Sequence, residues 1–148
     1  MNKWIKRLLI VFEIGGGFTG FVIILSALFS SQMQLIYILV SILFALFFLF
    51  GVFSGLCLIE DQKTGIKLSI VYQGIQIVKL SSPIVTYFFV SGFHLTPEIA
   101  FNRISIFFKL GAEFSFFILS KNPWSIGVNI VALGLFIYLL RIKKLIIK

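Results

Sequence analysis

The sequence predicts an all-α integral membrane protein: a four-span helical bundle with a short extracytoplasmic β-hairpin cap between spans 3 and 4. Three observations predict it. Of 148 residues, 59% are hydrophobic and only 12% are charged, against about a quarter charged in ordinary soluble domains. Four apolar runs approach the roughly twenty residues that cross a bilayer core. A stretch before the last run alternates apolar and polar residues with period two, the signature of strands.

The mean hydropathy of +1.11 is too high for a soluble fold of this length to cover its apolar surface, so the excess must face lipid. One membrane domain over residues 1–148 is the expected organisation. The net charge of +8 does not indicate a nucleic-acid partner. Lys3, Lys6 and Arg7 open the chain and Arg141, Lys143, Lys144 and Lys148 close it. They flank apolar runs, where basic residues fix orientation and meet anionic headgroups.

The first span is expected at about 8–29. It follows a basic start, as a secretory signal would, but the run is long, contains Glu13 and precedes no small-x-small cleavage site, so it reads as an uncleaved anchor. An uncharged turn at 30–34 leads to the second span, 35–59, which holds no charge. The cluster from Glu60 to Gly65 ends it. The third span is expected at 66–90, interrupted by Lys79 and Pro83, and the fourth at 124–140, with Trp124 suited to an interfacial aromatic belt. Lys and Arg are dense at the amino end, near the Glu60–Gly65 turn and in the tail, and absent from the first turn. The longer third connection carries Arg103, Lys109 and Lys121, which weakens the contrast. The amino and carboxyl ends are therefore expected in the cytoplasm of a multi-pass inner (plasma) membrane protein. The layout resembles that of small bacterial inner-membrane proteins, with no motif specific to one family.

The cap is expected at about 99–120. Ile104, Ile106, Phe108, Leu110, Ala112, Phe114 and Phe116 alternate with mostly polar residues. A three-residue turn at Gly111-Ala112-Glu113 would pair Leu110 with Phe114 on one apolar face. An interfacial amphipathic helix with an i,i+4 Lys109–Glu113 pair is the competing reading.

At 100° per residue, Ser69, Tyr72, Gln73, Gln76, Lys79, Pro83, Thr86 and Tyr87 would share one side of the third span. Such a stripe should not face lipid, and an intramembrane lysine is a site hypothesis by default. Glu13, the one acidic residue inside an expected span, is the candidate partner of Lys79. Pro83 would bend the helix and free a carbonyl near Lys79. Gly16–Gly20 and Gly51–Gly55 both fit G-x-x-x-G, which lets helices approach closely, and Asn129 is a candidate interhelical hydrogen-bond donor. Cys57 is the sole cysteine, so no internal disulfide can form. His94 is the sole histidine and reads as a loop residue. No metal site, cofactor or catalytic motif is evident.

These features lead to a non-enzymatic membrane component, an accessory subunit or membrane effector, acting through homo-oligomerisation or contact with a membrane protein. The alternative is a small channel or carrier whose polar path follows the third span and centres on Lys79. A membrane-embedded enzyme using Tyr72, Gln76 or Lys79 is a third reading.

Overall fold

The computed structural model describes residues 1–30, 34–100, 103–119 and 121–146, with the side chains of Ser30 and Ile146 excepted. Most of the expected first turn, Phe101, Asn102, Ser120, Ile147 and Lys148 lie outside the described residues.

The amino-terminal apolar run forms one continuous helix. It comprises α1 (Lys3–Ile10), a π-helical segment (Val11–Gly16) and α2 (Gly17–Ser30). The wider π turn falls where Gly15, Gly16 and Gly17 reduce side-chain crowding. Helix α3 (Leu35–Glu60) follows. Asp61 then caps α4 (Gln62–Ile75) by accepting from the Lys63 N–H at 3.0 Å and the Thr64 hydroxyl at 2.6 Å. Those bonds, Thr64's foremost, hold the Asp61 carboxyl below the usual carboxylate range. The cap reverses the chain, and α4 returns along α3. Gly65 makes this close approach feasible, since a Cβ there would meet Leu58 Cα at 2.5 Å.

Four antiparallel strands come next: β1 (Val78–Ser81), β2 (Val85–Ala100), β3 (Arg103–Ile118) and β4 (Ser125–Val128). Helix α5 (Ile130–Ile146) closes the described chain. β2 and β3 pair along their whole length, from Val85 with Ile118 to Ala100 with Arg103. On its other edge β2 joins β1 at its start and β4 at its end, and β1 also pairs with β4. The short strands thus close back onto a bent β2. The bend lies where Gly92 (φ +92°) faces Gly111 (φ +129°), conformations that residues bearing a Cβ rarely adopt.

Two cores hold the elements together. Leu9, Leu58, Ile66, Ile70 and Leu139 join α1, α3, α4 and α5 at one pole. Ile24, Phe44, Phe48, Tyr72 and Phe89 join the helices to one face of the sheet. There Phe48 lies 4.8 Å from Phe89, and Phe44 5.0 Å from Phe114, between ring centroids.

This architecture overturns the all-α four-span bundle. The chain is about 60% helical and 29% strand. Among the described residues two helices are long and apolar enough to cross a membrane, Lys3–Phe29 and Leu35–Glu60. The expected third span, 66–90, is α4, then β1, then the start of β2. From Ile77 onward the run is rich in β-branched and aromatic residues, which favour strands. Pro83 sits in the β1–β2 turn, where Ser82 Oγ donates to the Val85 carbonyl at 2.8 Å and accepts its N–H at 2.9 Å. The proline ends a strand and does not bend a helix. The expected fourth span, 124–140, is β4 followed by α5. The expected cap at 99–120 is strand over its described residues up to Ile118, but not as a hairpin closed at Gly111. Leu110 pairs with Phe93 and Phe114 with Phe89, because the partner strand β2 begins in the segment read as the third span and continues through the connection after it.

Candidate functional site

The sheet gathers a polar cluster on the side away from the helices. Lys79 on β1 and Glu98 on β2 each pair with Gly127 of β4, from opposite edges. Laterally paired residues share a face, so the two charged side chains flank a position without one. The Lys79 ammonium meets the Glu98 carboxylate at 2.5 Å, with the side chains 21% and 12% exposed. A Cβ at Gly127 would stand 2.9 Å from Thr96 Cγ2 and 3.4 Å from Lys79 Cβ, so a larger residue would crowd the pair. The ammonium also lies 4.1 Å from the Phe107 ring centroid and 5.0 Å from that of Phe88, within cation–π range.

His94 and Thr96 continue this face along β2, 2% and 0% exposed. The His94 ring packs edge-on to Phe88 at 5.6 Å. Among the described residues, His94 Nδ1 and Thr96 Oγ1 have no hydrogen-bond partner. His94 is a buried strand residue, not the loop residue expected. Glu98 did not stand out in the sequence, and Gly127 reads there only as a close-packing position, because their proximity to Lys79 depends on pairings between distant strands.

The polar stripe is divided between two environments. Ser69, Tyr72, Gln73 and Gln76 are buried on α4 or at its C-cap. Glu13, fully buried on the π segment, accepts from the Ser69 hydroxyl at 2.9 Å and from Gln73 Nε2 at 3.3 Å. Ser69 and Ser54 hydroxyls lie 3.1 Å apart. Glu13 therefore does not pair with Lys79. The break between α4 and β1 carries Lys79 into the sheet, where Glu98 takes it.

The remaining stripe residues tie helix to sheet. The Ser91 N–H donates to Gln76 Oε1 at 2.8 Å, and the Tyr87 hydroxyl to the Ile75 carbonyl at 2.7 Å. Asn122 Nδ2 donates to Thr86 Oγ1 at 3.1 Å. A continuous polar path along one helix does not exist, because Lys79, Thr86 and Tyr87 are strand residues.

The small-residue positions are taken up within the chain. Gly16 faces the backbone of Ser91 and Gly92, Gly20 the Phe48 ring, Gly51 the Tyr72 ring, and Gly55 the Ile14 side chain. Asn129 is a helix cap and not an interhelical donor. Its Oδ1 accepts from the Val131 and Ala132 N–H groups at 3.2 and 3.3 Å, while its own N–H donates to the Ile77 carbonyl at 2.7 Å.

Chemically, the sheet cluster is a neutralised ion pair walled by two rings, with a buried histidine and a hydroxyl beside it. Among the described residues, no three His, Cys, Asp or Glu side chains converge in a metal-holding group. Comparison of the chain with known protein families, with curated proteins and with solved structures returned no match.

Proposed function

We propose that this chain is a multi-pass protein of the bacterial inner membrane, held by Lys3–Phe29 and Leu35–Glu60, that acts without catalysis through contact with a protein partner. The carrying observation is the outer surface of those helices. Only 33% and 28% of their most apolar windows are buried. Phe18, Phe29, Leu35, Leu39 and Phe53 stand among the exposed large side chains. A core helix of a soluble protein would bury such residues; here lipid covers them.

The packing supports an orientation. The Asn2 N–H donates to the Tyr138 hydroxyl at 3.0 Å, and the pole where α1, α3, α4 and α5 meet gathers Lys3, Lys6, Arg7, Lys63, Lys67, Arg141, Lys143 and Lys144. An excess of Lys and Arg marks the cytoplasmic side, so this pole and both chain ends lie there. With 14 and 17 residues, α4 and α5 reach about 21 and 25 Å, short of a hydrocarbon core of about 30 Å. They enter from the cytoplasmic pole and give way to the sheet, which fills the outer half beside α2 and α3.

The ionisable groups buried in the fold support the absence of chemistry. Glu13, Lys79 and Glu98 are all engaged with neighbours in the chain. Isolated membranes washed with alkaline carbonate test the anchorage: the protein should stay in the pellet, and release would overturn it. Cross-linking in native membranes tests the mode of action. It should trap a second chain, and strictly monomeric protein with nothing co-purifying would remove that reading.

A further inference from the structure

The strand β3 has one open edge. Among the described residues it pairs with β2 alone and ends the sheet order. This edge runs over 16 residues beside the membrane-crossing helices. A lipid-exposed sheet edge is not tolerated in hydrocarbon, where its outward N–H and C=O groups find no water. The glycine faces of the helices are already filled from within the chain, so this edge is where the fold remains incomplete.

We infer that the edge is completed by β3 of a second copy of this chain, antiparallel, about a two-fold axis at Gly111. The charge pattern selects the axis. Lys109 and Glu113 stand two residues to either side of Gly111 on one face, and their side chains reach over it to meet at 2.9 Å, both exposed. A two-fold axis at Gly111 sets each Lys109 opposite the second copy's Glu113, so both charges of both copies find cross-strand partners. An axis at Lys109 stacks lysine on lysine, and one at Glu113 stacks carboxylate on carboxylate. Centring on Leu110 or Ala112 leaves every charge opposite an uncharged residue. The Gly111 register also keeps each face continuous. Phe108 meets the second copy's Phe114 and Ile106 its Phe116 on the apolar face, with Phe107 opposite Ser115 on the other. Gly111 has open space where a Cβ would lie, so nothing within its own chain crowds the axis.

This inference rests on the membrane reading above, since in water the edge would be hydrated. Two tagged copies are co-expressed and purified in detergent and in lipid nanodiscs. The natural pair should co-purify. Lys109→Glu alone places four carboxylates around the axis and Glu113→Lys alone places four ammonium groups; each should weaken self-association by about tenfold or more. Co-expressing Lys109→Glu with Glu113→Lys should restore pairing, because every cross-axis contact is again between opposite charges. A second arm works in a Cys57→Ser background: a Lys109→Cys copy should form a disulfide with a Glu113→Cys copy, in clear excess over either copy with itself. Retention in carbonate-washed membranes with no co-purification, no rescue by mixing and no selective disulfide overturns the pairing while leaving the anchorage intact. Release by carbonate overturns the membrane reading itself.

Discussion

Lys79 and Glu98 reach each other across β4 at Gly127, the one position of that strand without a side chain. The ion pair clasps β1 and β2 to opposite edges of the strand between them. Breaking either partner leaves a largely buried charge alone, which costs more than the pair contributes. Lys79→Met or Glu98→Leu should each destabilise the protein by about 3 kcal/mol. The double variant Lys79→Met/Glu98→Leu should recover most of that loss. Thermal unfolding in detergent, analysed as a double-mutant cycle, checks it.

Adjacent glycines in the π segment should respond in opposite ways. A Cβ at Gly15 meets nothing within 4 Å, whereas one at Gly16 would run into the backbone of Gly92 and Ser91. Gly15→Ala should be neutral or stabilise by up to about 1 kcal/mol. Gly16→Ala forces helix and sheet apart and should cost about 1–3 kcal/mol. Comparing the two melting temperatures separates general helix propensity from this contact.

Asn129 ties the last helix to the sheet by capping α5 while donating its own N–H to Ile77. Asn129→Ala should cost about 1 kcal/mol, and Asn129→Ser should restore most of it. Hydrogen exchange at Val131 and Ala132 should quicken in the alanine variant and return toward normal in the serine one.

The legible parts of the fold were those whose physics is local. The apolar runs from Leu8 and Leu35 lie in helices because each is long enough to satisfy its own backbone. The alternation from Ile104 to Phe116 lies in a strand because period two reports a two-faced surface. What escaped was non-local. Ile66–Val90 has the hydropathy of a span, but a short apolar run reads alike as buried helix or buried strand. Its second half went into β1 and the start of β2, whose partners β4 and β3 lie later in the chain, through pairings that no single-segment pattern displays. The same cause hid the site. Lys79 stood out by its charge in an apolar run, but its partner was sought at Glu13 because both were placed on helices. Once Lys79 lies on a strand, Glu98 is the carboxylate that the sheet register delivers.

The account stands on two helices crossing a bilayer with the basic pole in the cytoplasm. Single cysteines at Gln34 and Lys63, in a Cys57→Ser background, test this with a membrane-impermeant thiol reagent on intact cells. Cys at position 34 should label at once, and Cys at position 63 only after the membrane is permeabilised. Equal labelling of both without permeabilisation, or the reverse pattern, would contradict it.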